Sequence, residues 1–206
     1  MAFQSILFDK MWGEMLHTGP LEFTGVVFGI ISVLFSRKEN IWVFPTGLIS
    51  TLIFIYLYLQ CGLYADASVN VYYTIMSILG WMMWAKKREG DTLLHISYCN
   101  KQERQFMLAF FAVCWVVLYF ILHRFTDSTV PVADSFTSAA AFTGMYLMNK
   151  KKVENWWWWV VTDAASIPLN CYKGLMFAGF QYLVFLVLAI MGAFSWHNKY
   201  KFLKHG

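Results

Sequence analysis

The chain has 206 residues, of which 59% are apolar, 19% aromatic and only 14% charged, with a formal net charge of +4 and a mean hydropathy of +0.50. A soluble domain carries about 25% charged residues, so too little polar surface is present to solvate a globular fold or a large extramembrane domain. The basic residues border apolar stretches instead of sharing one folded face, which argues against nucleic-acid binding.

The first segment, Met1 to Gly19, is interrupted by Asp9, Lys10 and Glu14 and so lacks the apolar core of a secretory signal. It reads as an interfacial helix with Phe3, Ile6, Leu7, Met11 and Trp12 on one side, or as a frayed tail. Seven apolar stretches follow: Leu21–Ser36, Ile41–Gln60, Ala67–Ala85, Phe106–His123, Pro131–Met148, Trp156–Tyr172 and Leu175–Trp196. A membrane helix needs about 20 residues, or about 17 when its flanks snorkel. The pattern predicts an all-α integral membrane protein with seven transmembrane helices. Its longest polar gap runs from Lys86 to Gln105.

Thirteen of the sixteen Lys and Arg residues fall in the gaps after the first, third and fifth spans and after the seventh. Only Lys10, Arg124 and Lys173 fall on the other side. The positive-inside rule then places the N-terminus outside and the C-terminus in the cytoplasm. The four cysteines have neither metal-ligand nor C-x-x-C spacing. Cys114 reads as a small packing residue. Cys61 and Cys171 fall near the same outer face, close enough in depth for a disulfide that spacing alone cannot establish.

An odd number of spans accommodates a duplicated three-span unit with one span left over. At an offset of 115, Gly29 matches Gly144, Arg37 Lys152, Glu39 Glu154, Asn40 Asn155 and Trp42 Trp157. At an offset of 112, Gly62 matches Gly174, Leu63 Leu175, Gly80 Gly192 and Trp84 Trp196. Spans one to three and five to seven then form two parallel three-helix bundles, related by an axis along the membrane normal, with the fourth span as linker. The units are 1–20 (tail or interfacial helix), 21–85 (first repeat), 86–130 (loop and linker helix), 131–196 (second repeat) and 197–206 (cytoplasmic tail). Transport sites in such repeats lie between the halves near mid-membrane.

Two spans carry polar residues along one face. Asp66, Asn70, Tyr73, Ser77, Trp81 and Trp84 fall within about 80° of arc on the third span, and Trp156, Trp159, Asp163, Ser166 and Asn170 within about 80° on the sixth. Gln181 adds to them from the seventh span, and Asp134, Thr137 and Ser138 from the fifth. Such groups also serve as hydrogen-bonding glue between membrane helices, worth about 0.6 kcal/mol each. Amides, an acid and indoles along narrow stripes point instead to a cavity inside the bundle. Asp163 is the sharpest residue, because an ionised carboxylate at mid-membrane costs at least ~2.5 kcal/mol and no Lys or Arg lies at its depth. It is protonated, hydrated in a cavity, or paired with a ligand. Asp66 and Asp134 lie nearer the outer edge.

A phosphorylated solute calls for Arg or Lys clamps, and the mid-span positions have none. Aromatic faces beside a carboxylate and amides suit a small, unphosphorylated heteroaromatic solute with hydroxyls, neutral or cationic. Paired acid–base groups or a metal cluster at depth are missing from the spans, so an enzyme and a metal cofactor are not expected.

Gly80-Trp81-Met82-Met83-Trp84 followed by Lys86, the run from Asn155 to Trp159 leading to Asp163, and Lys173-Gly174-Leu175 leading to Gly192 and Trp196 resemble the PnuC family of vitamin transporters. The resemblance covers roughly residues 20–200; Met176-Phe177 departs from it where a Tyr is expected. It implies a SWEET-like fold and facilitated diffusion of nicotinamide riboside across a bacterial cytoplasmic membrane, with trapping by a cytoplasmic kinase and a homotrimer as an assembly. Thiamine or riboflavin are alternative solutes, and ion-coupled transport through Asp163 is an alternative mechanism. Trp81, Trp84 or Trp159 would stack on the ring, and Asp163, Asn170, Asn70 and Gln181 would hold hydroxyls or a carboxamide, beside Tyr73, Ser77 and Ser166. Pro45, Gly47, Gly80 and Pro168 are candidate flex points, with a kink expected at Pro168.

Overall fold

The computed structural model describes residues 19–88, 91–92, 94–126 and 128–205; the expected N-terminal interfacial helix lies outside them. Among the described residues seven long helices follow one another: α1 (Pro20–Arg37), α2 (Val43–Gln60), α3 (Tyr64–Ala85), α4 (Lys101–Phe125), α5 (Pro131–Asn149), α6 (Asn155–Tyr172) and α7 (Met176–His205). A two-residue antiparallel pair, β1 (Lys87–Arg88) with β2 (Asp91–Thr92), sits between α3 and α4.

Local chemistry sets the helix ends. Pro20 and Pro131 open α1 and α5, where a missing N–H costs nothing. Asn100 starts α4 through a reciprocal capping box: its side chain accepts from Glu103 N at 2.8 Å, and Glu103 Oε2 accepts from Asn100 N at 2.9 Å. Gly62 and Gly174, at φ of 72° and 79°, end α2 and α6 in the left-handed turn that glycine accepts without a Cβ clash. Among the described residues, four helices, α1, α2, α4 and α7, are long and apolar enough to cross a membrane. The polar stripes lie on α3 and α6, and α5 carries Asp134, Ser135, Thr137, Ser138 and Thr143.

Each predicted span is a helix, with two boundary corrections. α4 starts at Lys101, five residues before Phe106, because the capping box nucleates it outside the apolar run. α7 continues to His205, so the expected tail at 197–206 is helical; Lys and Leu sustain a helix once the preceding turns have formed. α6 stays helical through Pro168.

The helices close a ring. α1 packs on α2, α2 on α3, α3 on α5, α5 on α6, α6 on α7 and α7 back on α1, while α4 stands outside against α5. Small residues permit the close approaches. A Cβ on Gly25 would meet Ile53 at 3.1 Å, and one on Gly144 would meet the Trp159 ring at 3.1 Å. Ser32 and Ser50 of α1 and α2 donate to the carbonyls of Val43 and Gly25 at 2.8 Å each.

The two halves repeat at one constant offset. Lys38 and Lys150 cap α1 and α5, and Glu39 and Lys151 follow at φ of 55° and 50°. Val43 and Asn155 begin α2 and α6, and Tyr64 and Met176 begin α3 and α7. All these pairs are 112 apart. The expected offset of 115 across the first loop is therefore corrected. Basic residues, Asn and Trp are common at every membrane edge, so letter matches over five loop positions are weak, whereas the left-handed turn fixes the backbone register.

Candidate solute-binding site

The ring has two unlike ends. At the Lys-rich end, Trp84 Nε1 donates to the Asn149 carbonyl at 3.1 Å and Trp196 Nε1 donates to the Ser36 carbonyl at 3.1 Å. Phe44 meets Trp84 edge-on at 5.1 Å, and Trp156 meets Trp196 edge-on at 5.6 Å. Glu39 pairs with Lys151 at 2.6 Å and also with Lys199. The segment before α4 crosses this end: Ser97 exchanges backbone hydrogen bonds with Lys151 and Val153 at 3.1 and 2.9 Å. Glu154 accepts the Cys99 N–H at 2.9 and 3.1 Å, and Tyr98 hydrogen-bonds His197 at 2.6 Å. Burial beside the Glu154 carboxylate pushes the Cys99 thiol up to about 12. The opposite end is held by Lys173 paired with Asp134, whose other oxygen accepts from Ser128 at 2.7 Å. All four cysteines are free thiols, Cys61 and Cys171 among them.

Between these ends the α6 stripe faces the inside. Asp163 is 4% exposed and Ser166 is 3% exposed. The Asp163 carboxylate has no hydrogen-bond or ion-pair partner among the described residues. Yet among the described residues the sealed, unpartnered side-chain atoms are Asn149 Oδ1, Asn155 Oδ1 and Trp156 Nε1, so the Asp163 oxygens keep some contact with open space. Trp159 is half-buried, one turn along the same face. Asn170 is half-buried, and its Nδ2 donates to the Ser166 carbonyl at 2.8 Å.

From α3, Ser77 is buried and Tyr73 and Asn70 are half-buried. Asn70 Nδ2 donates to the Asp66 carbonyl at 3.0 Å, and Tyr73 meets Phe142 edge-on at 6.0 Å. Gln181 is half-buried on α7. Two expected stacking residues stand apart. Trp81 is 40% exposed and has no ring contact with the others. Trp84 is 4% exposed, and Phe44, Trp196 and the Lys151 ammonium 4.7 Å from its ring already surround it. Trp159 is the indole that remains beside Asp163.

The constant offset locates what the stripes alone missed. Adding 112 carries Asn70, Tyr73, Ser77, Gly80 and Trp84 onto Tyr182, Phe185, Ala189, Gly192 and Trp196. Subtracting it carries Trp159, Asp163, Ser166 and Asn170 onto Gly47, Thr51, Phe54 and Tyr58. Tyr182 lies within hydrogen-bonding reach of Ser166 and within electrostatic reach of Asp163, Tyr58 and Tyr73. The polar stripes thus lie on one helix of each half, α3 and α6, and their counterparts at this offset on α7 and α2 include the rings of Tyr182, Phe185, Phe54 and Tyr58. Two hollows of about 490 and 360 Å³ lie elsewhere, one beside Trp115, Val130 and Phe136, the other beside His95, Ile96 and Tyr200. Among the described residues, no group of His, Cys, Asp and Glu is placed to hold a metal.

Residues 19–198 match the family described as "Nicotinamide mononucleotide transporter". The chain belongs to the nicotinamide mononucleotide transporter family. It is 24% identical over 196 residues to the riboflavin/roseoflavin transporter RibM of Streptomyces davaonensis, covering 93% of this chain and 88% of that protein. It is 22% identical over 206 residues to the nicotinamide riboside transporter PnuC of Escherichia coli, covering 86% and 85%. The crystal structure of the vitamin B3 transporter PnuC shares the fold at a TM-score of 0.70 and 20% identity, over 96% of this chain and 92% of that one. The family and these relatives are multi-pass membrane transporters, not enzymes, as the PnuC-like motifs implied.

Proposed function

We propose that this protein passes nicotinamide riboside through the centre of the helix ring by facilitated diffusion, for trapping by a cytoplasmic kinase. All seven helices span the cytoplasmic membrane, in two parallel three-helix units joined by α4 as in the SWEET-like arrangement. The units are 21–85 and 131–196, and the Lys-rich end faces the cytoplasm.

The observation that carries this reading is Asp163. Its carboxylate is buried, has no hydrogen-bond or ion-pair partner among the described residues, and lies within electrostatic reach of Tyr73 on α3 of the other half and Tyr182 on α7 of its own. A cationic pyridinium ring supplies the missing charge, and its positive face suits Trp159 and the neighbouring tyrosines. Asn170, Asn70, Gln181, Ser166 and Ser77 offer donors and acceptors for ribose hydroxyls and a carboxamide. The family description names the mononucleotide, but a phosphate needs a cationic clamp. The α3 and α6 stripes contain no Lys or Arg, which favours the riboside.

The relation to RibM favours riboflavin as a second reading, since a neutral flavin needs stacking and hydrogen bonds but not the acid. Titrating purified protein with nicotinamide riboside, thiamine and riboflavin by quenching of intrinsic fluorescence separates the two. Saturable quenching by the riboside is expected; quenching by riboflavin alone would replace the first reading with the second. Equal uptake into liposomes with and without a proton or sodium gradient is expected and would exclude ion coupling.

A further inference from the structure

We propose that the Glu39–Lys151 pair is a latch holding the Lys-rich end of the ring shut, and that its release opens the path from the site to the cytoplasm. The proposal rests on the transport reading but concerns a different place in the fold.

Glu39 and Lys151 occupy equivalent positions in the two halves, each the first residue past the cap of its helix and each at positive φ. Non-glycine residues seldom adopt that conformation, so both turns present their side chains from a fixed backbone. A pseudo-two-fold relation brings equivalent positions face to face. Here one carries an acid and the other a base, and they meet at 2.6 Å. Their side chains are 11% and 4% exposed, so the pair is desolvated, and removing Glu39 leaves the Lys151 ammonium an uncompensated buried charge.

The pair ties together elements that must separate if this end opens. Glu39 also binds Lys199 on α7, and the Lys151 ammonium sits 4.7 Å from the Trp84 ring on α3. The α1–α7 and α3–α5 contacts are the two seams between the halves. Beneath the latch the packing leaves no room for solute. A Cβ on Gly80 would lie 2.3 Å from Asn149 Oδ1, and one on Gly192 would lie 2.4 Å from the Trp156 ring.

The same region carries an opposing penalty. Asn149 Oδ1, Asn155 Oδ1 and Trp156 Nε1 are sealed from water without partners. Buried polar atoms are nearly always paired, and these three regain water when the end opens. Charged contacts holding a packed seam against stored unsatisfied groups make a two-state element.

The test uses full-length protein with Cys61, Cys99, Cys114 and Cys171 replaced by Ala and a reporter Ser77→Cys on the inward face of α3. Vesicles exposing the C-terminal side receive a membrane-impermeant maleimide, with no solute present. Glu39→Gln and Lys151→Gln are each expected to raise the labelling rate at least about fivefold, and the fully reversed cluster Glu39→Lys/Lys151→Glu/Lys199→Glu to return it to within about twofold of the parent. Unchanged labelling in single variants that melt cooperatively overturns the latch. Loss of folding in both single variants overturns it too, since the pair is then a requirement of the fold. A vitamin titration that shows no quenching defeats the solute reading and leaves the labelling result intact.

Discussion

Trp84 and Trp196 sit 6.2 Å apart between ring centroids, and each donates its indole N–H across the ring to the end of the other half's first helix. This exchange makes the two halves mutually dependent: neither indole finds its acceptor within its own repeat. Trp196→Phe keeps an aromatic ring but removes the cross-brace, leaving the Ser36 carbonyl only the Glu39 N–H at 2.9 Å. The expected loss from the missing hydrogen bond is about 0.5–1.5 kcal/mol of stability, read as a lower melting temperature in detergent. Trp196 is fully buried, so an unchanged melting curve would show that the cross-brace carries no stability.

Gly80 and Gly192 are the floors on which Phe44 and Trp156 rest. Gly192→Ala places a methyl 2.4 Å from the Trp156 ring. Overpacking of this kind costs about 1–3 kcal/mol. Gly19→Ala meets nothing within 4 Å and serves as the control expected to melt like the parent.

Asp163→Asn keeps the shape of the site and removes its charge. Nicotinamide riboside, a cation, is expected to bind about tenfold more weakly, equivalent to about 1.4 kcal/mol. Riboflavin, which is neutral, should bind as before if it binds at all. Fluorescence titration of both variants decides the point, and equal affinity for the riboside would remove Asp163 from the site.

Glu154 holds the segment before α4 by accepting the Cys99 N–H with both carboxylate oxygens. Glu154→Gln should weaken this bond, which as a charged contact is worth about 1.5–3 kcal/mol, and raise amide exchange at Cys99. Exchange as slow as in the parent would show that the segment is held by other contacts.

Cys99 itself is buried, and its thiol is pushed up to about 12. At pH 8 only about one part in ten thousand is thiolate, the reactive form. Alkylation of the folded protein at pH 8 should therefore spare Cys99 and reach the exposed Cys61 and Cys171 first. Raising the pH toward 12 increases the Cys99 thiolate fraction tenfold per unit, so its alkylation should accelerate with the same slope. Rapid modification of Cys99 at pH 8 would contradict its sealed environment.

The amino-acid sequence alone determined the class of this protein, its seven helices and the inward face of α6. Hydrocarbon demands long apolar runs, and a lone acid such as Asp163 inside one is conspicuous at 3.6 residues per turn. It also held matches 112 residues apart, visible in Gly80, Trp84, Gly192 and Trp196. What it could not decide was the register between the repeats, because a three-residue slip in a polar loop changes few letters. That register rested on the left-handed turns at Glu39 and Lys151, a backbone property no side chain announces. Once known, it points from Asn170 to Tyr58 and from Asn70 to Tyr182, partners that read as ordinary apolar-face tyrosines in isolation. Tertiary structure alone decided that Trp84 is enclosed packing and that Trp81 stands apart. Two indoles on one helical arc differ only in what neighbouring helices bring against them, and periodicity within one helix carries no record of its neighbours.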